Sequence, residues 1–163
     1  GFRQELALNP LKKQILFLGS KKSVRKNISL VQKAMHFLNY DEVELINPYP
    51  VAHSEVPKYL NSAHVLAVCS YMEGSPNVVK EAMACNIPIV ATDIGDVRWV
   101  LGDTPGCFLA SFDPRDFADK LELALQFASV QGRTFGEERI RLLGLDSETV
   151  AKRVVEVYKK AID

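Results

Sequence analysis

Residues 64 to 96 constrain the fold most, because they spell strand, loop, helix, strand and loop in unbroken succession. His64 to Cys69 reads as a short apolar strand, and a loop of Ser, Tyr, Glu, Gly and Ser follows at once. Ser75 is placed to cap the next helix with its hydroxyl. Pro76 suits the first helical position, where no amide is needed, so the helix is expected to start there. Asn86 and Pro88 stop it, Pro88 to Ala91 forms a second apolar strand, and Thr92 to Asp96 a second polar loop. The whole is one βαβ unit.

Two carboxylates in this unit need explaining. Val78, Val79, Ala82 and Cys85 make one apolar arc of the helix. Met83 and Ala84 extend apolar surface nearly all the way round, the pattern of a helix buried on most sides. Glu81 falls inside that run, where a carboxylate costs several kcal/mol unless something bonds it. Glu73 lies in the loop outside the carboxyl end of a strand, where parallel sheets present ligands. Between them, the amides of Asn77, Val78 and Val79 point out of a helix N-terminus and favour an anion such as phosphate. Taken singly, Glu73 reads as a solvated loop residue and Glu81 as a core carboxylate paired with a basic neighbour.

The rest of the chain repeats the alternation. Gln14 to Gly19 is a buried strand, followed by a basic loop, Ser20 to Asn27, and a helix over residues 28 to 38 capped by Asn27. Glu42 to Ile46 alternates as a strand and ends in Asn47-Pro48-Tyr49-Pro50-Val51. His53 to Ser62 is a short helix with Val56, Tyr59 and Leu60 inward. Val97 to Leu101 is another, carrying the only Trp, and Gly106 to Ala110 is the last strand. Asp113 caps a helix with Pro114 in first position and Phe117, Leu121, Ala124, Leu125 and Ala128 on its inner face. Two helices follow, Phe135 to Leu143 and Ser147 to Ile162, the latter capped by Ser147. Residues 1 to 13, broken at Asn9-Pro10, read as an interdomain connection.

Five strands alternating with helices predict an α/β, Rossmann-like, doubly wound parallel sheet with helices on both faces, in one domain of 163 residues. Twenty basic and twenty acidic residues balance, which gives no reason to expect nucleic acid or an acidic membrane as main partner. There is no apolar run of transmembrane length. Cys69, Cys85 and Cys107 lie in apolar stretches without metal-ligand spacing and read as reduced core thiols of a cytoplasmic protein. His36, His53 and His64 are scattered singly, so no metal site is expected.

The string EGSPNVVKEAMACNIPIVATDIGD, from Glu73 to Asp96, resembles the donor-binding motif of retaining glycosyltransferases of the GT-B fold, family 4 in particular. In that family two Glu separated by seven residues bracket a helix start, an Ala-Met-Ala segment follows, and an apolar strand ends in a Gly-containing loop. The resemblance extends over nearly the whole chain and implies the C-terminal, donor-binding half of a two-domain enzyme, with the N-terminal acceptor domain absent from these residues. It implies metal-independent transfer of a glycosyl group from a UDP- or GDP-linked sugar to an acceptor hydroxyl with retention, in the manner of a hexosyltransferase. The 163 residues alone are expected to be inactive, and any peripheral membrane association would come through the other domain.

By the same resemblance, Glu81 accepts from the ribose hydroxyls and Glu73 binds hydroxyls of the transferred sugar. Gly74 lets the backbone come close, and the amides of Ser75, Asn77 and Val78, with Pro76 contributing none, hold phosphate and sugar oxygens. Ser70 and Gly19 line the site, and the base lies against Tyr49 to Val51. Lys26 neutralises the departing diphosphate, with Arg25 as its backup and Asn27 standing in the place of a Gly. Ser20 occupies the position of the family's Arg, a departure that leaves Arg25 or Lys22 to substitute and keeps a catalytically degenerate nucleotide-binding or regulatory domain as the alternative. This chain is also one βα step shorter than usual between its second strand and the central one.

Overall fold

The computed structural model describes residues 1–39 and 41–162, with side chains except those of Tyr158 and Ile162. Four-residue strands β1 (Lys13–Leu16), β2 (Val43–Ile46), β3 (Val65–Val68), β4 (Ile89–Thr92) and β5 (Cys107–Ala110) form one parallel sheet in the order β2-β1-β3-β4-β5. The doubly wound expectation holds, and the chain reverses its direction of travel across the sheet between β1 and β3. These strands pair only at Ile15 with Val65 and Leu16 with Leu66. Beyond that they part, and open α/β sheets place ligands in such a crevice at their carboxyl edge.

Alternation along the strands sorts two cores. Ile15, Val65, Ala67 and Val90 face α2 (Ile28–Met35) and α6 (Pro114–Val130), which bury Val31, Ala34, Phe117, Leu121 and Ala124 against them. Leu16, Leu66, Val68, Ile89 and Ala91 face the opposite layer. That layer is α3 (Val56–Ser62), α4 (Asn77–Ala84), α5 (Val97–Leu101) and α7 (Gly136–Leu142). Both faces are covered, which is why the strands are apolar runs.

Several local expectations change. β1 ends at Leu16, and α2 ends at Met35 instead of residue 38. Ala84 is exposed, so α4 buries one stripe of Val79, Ala82 and Met83 and is not enclosed on most sides. Asp113 does cap α6, accepting from the Arg115 amide at 2.9 Å. For α8 (Ser147–Ile162), Asp146 takes the role expected of Ser147: its carboxylate accepts from the Thr149 amide at 2.9 Å. Val150, Val154, Val155 and Val157 on α8 are exposed.

The N-terminal residues pack on the domain. α1 (Phe2–Glu5) lies against α3, and Arg3 Nε donates to the Ser62 carbonyl at 2.9 Å. Arg3 also meets the His64 ring, whose Nδ1 accepts from the Gln14 amide at 2.9 Å. Burial, then the charges of Arg3, Lys13 and Arg133, lower the His64 pKa to about 4. Burial likewise raises the pKa of the Cys69, Cys85 and Cys107 thiols, all unbridged. No helix among the described residues is long and apolar enough to cross a membrane.

Candidate functional site

Two loops meet at the crevice where β1 and β3 part, and five hydrogen bonds lace them into the scaffold. The buried Thr92 hydroxyl, at the end of β4, donates to the Ser70 carbonyl at 2.7 Å, fixing the start of the β3 loop. Asn27 Nδ2 donates to the Cys69 carbonyl at 3.1 Å, and the Tyr71 amide donates to the Arg25 carbonyl at 3.0 Å. At the far side, Asn47 Nδ2 donates to the carbonyl of Gly19 at 2.9 Å and to that of Phe17 at 3.1 Å, tying the end of β2 to the β1 loop. Asn27 does not cap α2 as expected. Its backbone is left-handed, with φ 56°, and its amide is spent on Cys69. The left-handed turn accounts for an Asn where a Gly would also fit.

These ties converge on Glu73, whose side chain is only 11% exposed. Its Oε1 accepts from Lys26 Nζ at 2.5 Å and Ser70 Oγ at 3.1 Å, with Arg25 Nη1 at 3.1 Å. Burial alone would raise the pKa of this carboxyl. The Lys26 bond and charge, the Ser70 hydroxyl and the Arg25 charge outweigh burial and hold it below the ordinary carboxylate value. Two cations against one carboxylate leave the spot with net positive charge beside the start of α4. Gly19 makes room for this, since a β-carbon there would lie 3.2 Å from Lys26 Cγ. Ser20 turns into its own loop, its hydroxyl accepting from the Lys22 amide at 3.2 Å, while Arg25 reaches Glu73.

The start of α4 differs from expectation. The helix begins at Asn77, with buried Pro76 as the residue before it, and Ser75 does not cap. The Ser75 hydroxyl donates instead to Asp96 Oδ2 and accepts from Lys80 Nζ at 2.5 Å, drawn away by a carboxylate that outcompetes backbone amides as a partner. Asp96 also donates its amide to the Gly74 carbonyl at 3.0 Å. Beside it, Gly95 has φ +52° and packs directly on the backbone of Glu73 and Gly74, whereas the space where Gly74 would carry a β-carbon is open. Asn77 is exposed and Val78 half-buried at the first turn.

Glu81 also requires correction. It is not a deeply buried carboxylate waiting for a ligand: its side chain is 33% exposed, because the exposed side of α4 comes within reach of it. Its Oε1 lies 3.0 Å from His53 Nε2. Tyr49, 54% exposed, and the partly buried Val51 occupy the loop after β2 on the same edge of the sheet. The structure thus joins Ser70, Glu73, Arg25, Lys26 and Gly19 in one cluster. Glu81 stands apart from that cluster, paired with His53. Sequence reasoning missed His53, Asn47, Gly95 and Asp96. The Gly-Asp pair ending the second polar loop was the available signal for the last two.

An open cleft of about 890 Å³ lies between α4, α7 and α8; Glu81 stands on its rim, with Lys80, Arg141 and Asp146 also lining it.

A family model described as glycosyl transferases group 1 matches residues 7–126. The chain belongs to this family. Among group 1 relatives, a D-inositol 3-phosphate glycosyltransferase of Nocardioides sp. is 31% identical over 115 residues, covering 69% of this chain and 25% of the relative. The protein of the same description from Xylanimonas cellulosilytica is 26% identical over 159 residues, covering 97% and 38%. Among solved structures, sucrose-phosphate synthase from Thermosynechococcus elongatus superposes with a TM-score of 0.79 at 20% identity, over 99% of this chain and 48% of that one. Anabaena HepE in complex with UDP and glucose gives a TM-score of 0.73 at 15% identity, over 97% and 51%. The chain therefore spans a quarter to two fifths of these curated relatives, and about half of the solved chains.

Proposed function

We propose that this chain is the donor-binding domain of a retaining, metal-independent glycosyltransferase. Its ligand is a UDP- or GDP-linked sugar, whose glycosyl group passes to an acceptor hydroxyl with the help of an N-terminal acceptor-binding domain. The observation that carries this reading is the Lys26–Glu73–Arg25 cluster at the β1/β3 crossover, beside the N-terminus of α4. A helix N-terminus and two cations with one carboxylate between them suit a diphosphate whose negative charge grows as the glycosidic bond breaks.

In this reading the bond from the anomeric carbon to the β-phosphate oxygen breaks, and its electron pair leaves with the diphosphate. The acceptor oxygen bonds to the same face of the sugar and gives up its proton to the departing β-phosphate oxygen. Lys26 and Arg25 stabilise the departing charge without a metal ion. Glu73, kept ionised, accepts from sugar hydroxyls. The free amides of the first turn of α4 hold phosphate oxygens, and the open space above Gly74 admits the ligand to the backbone. Glu81 accepts from the ribose, and the base rests against Tyr49 to Val51. The HepE structures, described with UDP and with UDP-glucose bound on this fold, support the ligand class. Arg25 reaching Glu73 favours the active reading over a degenerate one, since it supplies the charge that Ser20 lacks.

The test is a thermal-shift panel of UDP, GDP, ADP and their sugar conjugates, with and without EDTA. A ligand that binds only the folded state adds about 2.7 kcal/mol of stability at a hundredfold excess over Kd. A shift with UDP or GDP, undiminished by EDTA, is expected. A shift abolished by EDTA would remove metal independence, and none at millimolar ligand would remove the donor reading.

A further inference from the structure

We infer that His53 is a positioning residue for the nucleotide ribose, acting through Glu81; the inference rests on the donor-site reading above. His53 opens a 3-10 turn, His53–Glu55, two residues after Val51, and so sits between the loop proposed for the base and the helix that carries Glu81. Its Nε2 lies 3.0 Å from Glu81 Oε1. An ionised carboxylate can only accept, so Nε2 carries the hydrogen and donates it. This is the one hydrogen bond of the Glu81 side chain among the described residues.

The geometry is economical for diol recognition. Glu81 is a third exposed on a helix surface, and an unrestrained Glu there samples several rotamers whose loss opposes binding. A donor fixed on Oε1 selects one rotamer before ligand arrives. It leaves Oε2 and the second lone pair of Oε1 for two hydroxyl hydrogens, which matches the 2′- and 3′-hydroxyls of a ribose. His53 itself is 86% exposed, so burial in the core does not account for it.

The experiment is calorimetric titration of the chain with UDP and GDP and with their 2′,3′-dideoxy analogues, for wild type, His53→Ala and His53→Gln. Wild type is expected to prefer the ribonucleotide. His53→Ala should lower that preference by about five- to tenfold, the scale of one ordinary hydrogen bond, with little change in affinity for the dideoxy analogue. His53→Gln, whose Nε2 can reach the same oxygen, should restore most of it. An unchanged preference in His53→Ala, or equal losses for both ligands, would overturn the inference while leaving the donor site standing. Wild type that binds neither UDP nor GDP would overturn both.

Discussion

Gly95 is the sharpest test of how the loops after β3 and β4 are held together. It has φ +52°, and a β-carbon built on it overlaps the carbonyl oxygens of Glu73 and Gly74 and lies 2.7 Å from the Gly74 carbonyl carbon. All of these are backbone atoms, which cannot swing aside as a side-chain end can. In Gly95→Ala the left-handed conformation costs about 1–2 kcal/mol. Displacing the Glu73–Gly74 loop adds about 1–3 kcal/mol by overpacking. A total near 3 kcal/mol corresponds to a fall in Tm of about 6–12 °C for a domain of this size. Calorimetry measures this directly, with Gly74→Ala as control. The Gly74 position is open, so its alanine variant should melt within about 2 °C of wild type yet lose nucleotide affinity, because the new methyl fills space assigned to ligand. Gly95→Ala melting with wild type would refute the close packing of the loops. Gly74→Ala binding nucleotide normally would place the ligand elsewhere.

Three other perturbations follow from the same geometry. Lys26→Ala should cost UDP about 10- to 100-fold in affinity, as loss of a charge-assisted bond, and leave uridine unaffected; equal losses for both would take Lys26 out of the phosphate position. Glu81→Gln should change stability by less than about 1 kcal/mol, since its partner His53 is exposed, and a larger loss in urea unfolding would return Glu81 to a structural role. His64 is held neutral, with its pKa lowered to about 4, so between pH 6.5 and 4 the unfolded chain binds more protons than the folded one. Stability is therefore whole above pH 6.5 and falls as pH drops toward 4, by about 1–2 kcal/mol after allowing for the partly exposed ring. Urea midpoints at pH 7 and pH 4.5 should show that loss in wild type and much less of it in His64→Gln; the same loss in both would assign it to other groups.

The five strands and their order of helices were legible because buried parallel strands must be apolar runs and each is punctuated by Gly, Pro or Asn. Glu73 was legible for a related reason, since a carboxylate in a loop just beyond a central strand lies where the fold presents side chains. Its partners Lys26 and Arg25 were legible as charge in the loop after the first strand, but their common target was not. That depends on Asn27, whose left-handed turn and bond to Cys69 set the two loops edge to edge. The caps failed where a stronger partner was near in space and distant in sequence. Ser75 lost its capping role to Asp96, 21 residues on, and Asn27 to Cys69, 42 residues on. Glu81 was misread because helical periodicity gives the direction a side chain takes, and only the packing of α4 on its neighbours decides how much of that face is covered. The His53 contact spans 28 residues and joins separate elements, a pairing that one sequence does not encode locally.

The donor reading requires that nucleotide bind at the β1/β3 crossover. Amide chemical-shift mapping of the isotope-labelled chain, titrated with UDP and then GDP, tests it most directly. The largest shifts should fall in Gly19 to Asn27 and in Glu73 to Val78, with smaller ones around Tyr49 to His53. Shifts confined to residues 137–152, around the cleft between α4, α7 and α8, with the crossover loops silent, would contradict it.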